Sequence, residues 1–299
     1  MTPIRLHKLG TVDCDIVEAN PVVRKGRVLR LEYIRWKSAT SHYYANHTGR
    51  SYFRLVDHFT GEIVTEPFGW DLHMGNAFVW EDRMIVTAVE DWGKPRFYQL
   101  ESTDLVHWTE PRVILEGDGW MGYNTSLCRA DGKFVLCFEL GAPREIVHEP
   151  FTMFFAETSD LQNWKVIPGA SGPRDIYTGG PCLRWFNGFY YLFILDGSYE
   201  KGFTTAVIRS RDLTNWEWSA ANPALPFDEG DRRLLAAMPP SLVQKIERAV
   251  NINASDFDFC QFEGKLHCIY SWGNQRGVEF LARAEADCTE QEFCESFFD

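Results

Sequence analysis

The chain has 299 residues, 45% hydrophobic and 15% aromatic, with a formal net charge of −12 at pH 7. That is enough apolar material for a large core, while the acidic balance and the lack of any Lys/Arg run exclude nucleic acid and a membrane surface as partners. Residues Met1 to Lys8 hold no apolar core of signal-peptide length, and no stretch approaches the roughly 20 apolar residues of a membrane span, so a cytoplasmic setting is expected.

The first hairpin signal is Asn20–Leu31, two apolar runs joined at Lys25-Gly26. A second lies at Ala77–Thr87, followed by the phrase Ser102-Thr103-Asp104-Leu105-Val106-His107-Trp108. Thr125–Glu139 turns at Asp131-Gly132 and is followed by Thr158-Ser159-Asp160-Leu161-Gln162-Asn163-Trp164. Pro181–Phe193 turns at Asn187-Gly188 and precedes Ser210-Arg211-Asp212-Leu213-Thr214-Asn215-Trp216. Asp258–Tyr270 supplies the last hairpin, at Glu263-Gly264.

The tryptophans of the recurring phrase stand 56 and 52 residues apart, near the length of one four-stranded propeller blade. Within it, Ser/Thr and Asp favour a turn, Leu anchors the turn inward, and Trp opens the next strand against a neighbouring blade. The pattern predicts an all-β, single-domain, five-bladed β-propeller with blades near 13–66, 70–115, 119–168, 174–226 and 251–288. Ring closure calls for Ile4–Leu9 or the tail Gln291–Phe298 to complete a terminal blade. Before the last unit, Pro239–Val250 reads as a short amphipathic helix. The eight cysteines read as buried, reduced thiols, and no Cys-x-x-Cys or His-x-x-x-His spacing argues for zinc.

In such a ring the first strand of each blade lines the channel, and the second returns to the same rim. Strand starts then nominate Glu18, Asn20, His73, Asn76, Asn124, Thr178–Gly180, Asp256 and Asp258; second-strand ends nominate Glu90, Asp91, Glu139, Asp196 and Trp272–Asn274. Paired carboxyls suit glycoside hydrolysis, one donating a proton to the leaving oxygen and the other acting as base or nucleophile. The expected catalytic set is Asp258, Asp256, Glu139 and Glu18, with His73 assisting. Asn20, Asn76, Asn124 and Asn274 would bond sugar hydroxyls, and Trp70, Trp120, Tyr123 and Trp272 would stack on sugar faces. Each also has a plain structural use: strand-start acids cap loops, strand-end acids pair with cations, and histidines brace by hydrogen bonds.

The five units, their Asp-Leu-x-x-Trp turns and aromatic hairpins resemble the five-bladed propeller glycosidases of families 43, 32, 62 and 117. Gly179-Gly180-Pro181 looks like the Glu-Gly-Pro segment bearing the general acid in family 43, with Gly179 at the Glu position. Asn20-Pro21 sits where that family has an Asp-Pro base, and Asn124 falls near its third Asp. The family's acids are thus replaced, and none of its roles carries over. The resemblance implies an oligosaccharide substrate and no organic cofactor or catalytic metal, with room for a structural divalent ion in the channel. A non-catalytic carbohydrate-binding propeller, or a glycoside phosphorylase using Arg35, Arg144 or Arg276 as a phosphate clamp, are the alternatives. Oligomeric state stays open.

Overall fold

A computed structural model describes residues 2–35, 48–200 and 202–298. After β1 (His7–Cys14), the first sheet comprises β2 (Asn20–Arg24), β3 (Arg27–Ile34) and β4 (Tyr52–Asp57). The second comprises β5 (His73–Trp80), β6 (Arg83–Val89), β7 (Arg96–Ser102) and β8 (Arg112–Glu116). β9 (Gly122–Ala130), β10 (Lys133–Leu140), β11 (Thr152–Thr158) and β12 (Lys165–Ser171) form the third. β13 (Cys182–Phe186), β14 (Phe189–Asp196), β15 (Thr204–Ser210) and β16 (Glu217–Trp218) form the fourth. The fifth is built from β17 (Asn253–Phe262), β18 (Lys265–Gly273) and β19 (Glu279–Ala286).

The innermost strands β2, β5, β9, β13 and β17 touch in cyclic order, so the molecule is a five-bladed β-propeller. Of the two segments proposed for closure, the N-terminal one serves: β1 pairs antiparallel with β19 as the outer strand of the last blade. The tail instead forms helix α2 (Glu290–Glu295), capped by Thr289. Helix α1 (Pro240–Arg248) lies before the last blade and buries Ile246.

The hairpins turn where Gly can take a positive φ: Asp131 and Gly132 have φ of 46° and 82°, Asn187 and Gly188 of 50° and 80°. The repeated phrase is a pin between blades. In all three copies Asp Oδ1 accepts from the backbone N–H two and three residues on, which holds Leu105, Leu161 and Leu213 at φ between 60° and 67°. Each Trp then reaches the preceding blade. Trp108 stacks on Phe68 at 3.7 Å, Trp164 Nε1 donates to Gln99 Oε1 at 3.1 Å, and Trp216 Nε1 donates to the Ser171 carbonyl at 2.7 Å.

Packing between blades is uneven. Leu31, Phe53, Val86, Phe97 and Phe138 belong to a continuous apolar core across the first three blades. Phe193, Phe257, Phe259 and Phe293 fill the space between the fourth and fifth blades. Between the fifth and first, the apolar cluster holds only Ile16, Ala19, Ile269 and Leu281 as buried members. The rest of that seam is charged: Glu32, fully buried, accepts from both Arg30 and Arg54. All eight cysteines are buried free thiols. Among the described residues no helix is long and apolar enough to cross a membrane.

Candidate active site

Regular alternation breaks where the innermost strands begin. Glu18, Met74, Gly180 and Asp256 all have positive φ, between 48° and 55°. Register shifts fall between His73 and Asn76, and between Ser255 and Asp258. A left-handed conformation in a non-glycine residue is strained and concentrates at functional positions. Its effect is to turn Glu18, Met74 and Asp256 towards one mouth, where with Asn124 and Gly180 they supply one residue per blade to the floor of a cavity of about 250 Å³. The residues two positions on, such as Asn20, Asn76 and Asp258, sit deeper in the channel and line a cavity of about 360 Å³ at the other mouth.

Four carboxyl groups line the first cavity, those of Glu18, Glu139, Asp256 and Glu279. Glu139, 2% exposed at the end of β10, accepts from Asn124 Nδ2 at 3.4 Å and from the Gly180 N–H at 3.1 Å. Burial pushes its pKa up to about 8, against these two hydrogen bonds, so it is protonated at neutral pH. Asp256 accepts from Ser255 Oγ at 3.2 Å; burial raises its pKa, while the Ser271 and Ser255 hydroxyls and Arg35 oppose the rise. Glu18 is raised well above the usual carboxylate range by burial, and then by the Asp256 charge. Its Oε2 is buried with no hydrogen-bond partner. Gly180 lies between Glu139 and Asp256: its N–H bonds Glu139, and a Cβ on it would stand 2.6 Å from Asp256 Oδ1. These contacts keep the two carboxyls within about 8 Å of each other.

Opposite the acids, Arg35 faces the cavity, paired with Asp15 Oδ1 at 3.3 Å and Glu279 Oε2 at 3.5 Å. An aromatic arc closes another side: Trp92 to Tyr123 at 6.4 Å, Tyr123 to Phe151 at 4.4 Å, and Phe151 to Tyr177 at 5.6 Å between ring centres. Trp92 is half exposed, which leaves its face open to a ligand.

Of the sequence-nominated residues, the structure brings together Glu18, Glu139, Asp256, Asn124 and Tyr123. It separates Asp258 from Asp256, the two having been expected at one rim. The bulge sends Asp258 rearward, where Oδ1 pairs with Arg184 at 2.6 Å and Oδ2 accepts from Asn76 Nδ2 at 3.2 Å. Asn20 braces two blades by bonding both the N–H and the carbonyl of Ala77. His73 is bonded to Tyr33 Oη and faces Asp91 at 3.4 Å, behind the cavity wall, with burial holding its pKa below the ordinary value. Asn274 caps a turn through Arg276 N and Val278 N.

Three aromatic nominees lie away from the cavity. Trp272 is fully buried, with Nε1 donating to Thr11 Oγ1 at 2.9 Å. Trp120 packs against Phe97 and Phe138, and Trp70 against Tyr52 and Arg50. Sequence reasoning passed over Trp92, Phe151, Tyr177, Gln275 and Glu279, which stand on loops or at strand ends with no repeat signal. Among the described residues no group of three or more His, Cys, Asp or Glu side chains is arranged to hold a metal ion.

No family model matches this sequence. Solved structures do match its fold, which is that of five-bladed glycoside hydrolases of families 43 and 62. The α-L-arabinofuranosidase of Podospora anserina, solved in complex with cellotriose, superposes with a TM-score of 0.61 at 9% identity, over 94% of this chain and 98% of that one. The catalytic domain of the family 62 α-L-arabinofuranosidase of Coprinopsis cinerea gives 0.63 at 11% identity, over 95% and 97%. A family 43 protein of Bacillus licheniformis gives 0.62 at 14% identity, over 96% of this chain but 55% of that one. At such identities the likeness concerns the fold, and this chain's chemistry has to be argued from its own residues.

Proposed function

We propose that this protein is a glycoside hydrolase that removes a terminal sugar from a short oligosaccharide. The observation that carries the reading is Glu139: a carboxyl kept protonated at neutral pH by burial, sharing a cavity with three further carboxyls. One carboxyl that gives a proton beside another that takes one is the division of labour glycoside hydrolysis requires. At about 250 Å³ the cavity is smaller than most ligand pockets, which run to ~300–1,000 Å³, and so suits one sugar unit.

In this reading Glu139 donates its proton to the glycosidic oxygen as the bond to the anomeric carbon breaks. Asp256, where two serine hydroxyls and Arg35 oppose the rise in pKa that burial causes, takes a proton from the water that attacks that carbon. The products are the free sugar and the shortened alcohol, one water being consumed. The Asp256 charge helps to raise the Glu18 pKa, and the unpartnered Oε2 of Glu18 is available to hold the water. Trp92 and Tyr123 offer apolar faces to the sugar, and Asn124 holds Glu139 in place.

Phosphorolysis is less well served. Arg35 is the one cation lining the cavity among the described residues and is already paired with two acids, while Arg144 is exposed and bonded to the His148 carbonyl. Eight reduced thiols suit the reducing interior of a cell, where imported oligosaccharides would be the substrates. The test is hydrolysis of a panel of aryl glycosides and short oligosaccharides, with and without phosphate. Turnover without phosphate, abolished by Glu139→Gln or Asp256→Asn in folded protein, supports the reading. Sugar binding by calorimetry with no turnover on any substrate would sink it and leave a carbohydrate-binding propeller.

A further inference from the structure

The seam between the first and last blades buries two imidazoles and a guanidinium with nitrogens that lack hydrogen-bond partners among the described residues. His58, at the end of β4, is 1% exposed, and neither ring nitrogen has a hydrogen-bond partner. His267 of β18 is 6% exposed with Nδ1 unpartnered; Arg283 of β19 is 7% exposed with Nε unpartnered. The two imidazoles face each other at 5.9 Å between ring centres. Phe59 covers them, 5.0 Å from the His267 ring, with the Arg283 guanidinium 5.2 Å from its own centre.

Every carboxylate nearby is engaged elsewhere. Glu32 accepts from Arg30 and Arg54, Asp57 pairs with Arg27 at 3.1 Å, and Glu285 pairs with Lys265 at 3.2 Å. Asp13 accepts from the Cys14 N–H, and burial with the Glu32 charge lifts its pKa to about 6. Among the described residues Arg283 has no carboxylate within ion-pair distance. A guanidinium withdrawn from water without a counter-charge is costly, and orphaned buried nitrogens call for a water or an ion. Water would satisfy the imidazoles, while Arg283 feels Glu285 and Asp57 only through space, both already paired with other cations.

We propose that this seam binds a small inorganic anion of the halide class, held by Arg283, His58 and His267. A monatomic anion needs donors alone, which is what the Arg283 guanidinium and the unpartnered imidazoles would supply. Burial, Arg283, Arg30 and His267 hold the His58 pKa well below its ordinary value, and burial with Arg30 brings Arg283 down to about 10. Burial is the larger cause in both, and neighbouring positive charge adds to it, while Glu285 and Asp57 pull Arg283 back. Without the anion, then, folded His58 binds its proton less tightly than unfolded His58, and stability falls as pH drops below about 6.5. An anion would reverse that loss, so its binding strengthens with acidity and ties the last blade to the first.

The test is thermal unfolding of the whole protein in sodium chloride and in sodium gluconate at equal ionic strength, at pH 6 and pH 8. The expected result is a saturable rise in Tm of about 3 °C in chloride at pH 6, smaller at pH 8, and absent in His58→Phe, which keeps the ring volume without its nitrogens. Equal Tm values in the two salts, a change that never saturates, or an undiminished chloride effect in His58→Phe would overturn the proposal. Should His58→Phe not fold, crystals of the unaltered protein grown in bromide decide: an anomalous peak beside Arg283 supports the site, and its absence removes it.

Discussion

Gly180 and Asp256 occupy the same corner of the cavity: a β-carbon on Gly180 would stand 2.6 Å from Asp256 Oδ1 and 3.2 Å from its Cα. The residue also has φ of 54°. Gly180→Ala therefore meets a backbone atom as well as the carboxyl, and strains its own backbone. We expect kcat/KM to fall by about 100-fold or more through displacement of Asp256. A variant with unchanged kinetics would show that the corner yields freely.

As the proposed proton donor, Glu139 should set the alkaline side of the activity profile. With its pKa near 8, kcat/KM should decline as pH rises through that value, because the proton donor is lost. The Asn124 hydrogen bond lowers this pKa, so Asn124→Leu should move the alkaline limb to higher pH. A limb that stays put, measured with a substrate whose own groups do not titrate, would disconnect Asn124 from Glu139.

The same carboxyl makes a statement about stability. Folded Glu139 holds its proton up to about 8, whereas the unfolded group releases it near 4.5, so its burial destabilises the fold increasingly as pH rises between those values. Glu139→Gln should therefore gain Tm relative to the parent at pH 9 and little at pH 5. Parallel Tm curves across that range would contradict the assignment.

Asp256 and Asp258, two positions apart, should separate activity from stability. Asp256→Asn is expected to cost about 10²–10⁴-fold in kcat with little change in Tm. Asp258→Asn removes one of the two carboxylates paired with the buried Arg184, leaving Glu290 at 3.1 Å, and should cost about 1–3 kcal/mol of stability. Chemical denaturation and kinetics on both variants would exchange these outcomes if the strand were regular rather than bulged.

The pins between blades can be tested away from the cavity. Trp164→Phe removes the donor to Gln99 Oε1, a group 2% exposed, and should cost about 1–2 kcal/mol while leaving kcat/KM unchanged. Loss of activity in folded protein would show that the blade contact also shapes the site.

The ring of blades was legible in the sequence because its devices are local. An Asp-Gly turn or a Ser/Thr-x-Asp-Leu-x-x-Trp phrase builds its geometry from neighbouring atoms, so three copies of the phrase at even spacing announce the repeat. Closure was half legible: the need for an extra strand was clear, but only pairing with β19 distinguishes β1 from the tail. The carboxyl cluster was legible in part. Strand starts and ends pointed to Glu18, Glu139 and Asp256, but strict alternation would aim Asp258 with Asp256. The bulge that parts them depends on the packing of β17 against β18. Trp272 and Trp120 looked like sugar platforms because an aromatic residue carries no sign of which face is covered. Trp92 is exposed through the placement of its loop, which no period encodes.

The pairing of β1 with β19 has a consequence for the making of the protein. Thr11 and Trp272, joined across this blade, are 261 positions apart in the sequence. At roughly 5–20 residues per second on a ribosome, the N-terminal strand waits about 15–60 s for its partner. Throughout that interval its backbone donors and acceptors are open to any other strand, including the same strand on a neighbouring nascent chain. The ring is strongest as a finished object and most exposed just before its last segment emerges.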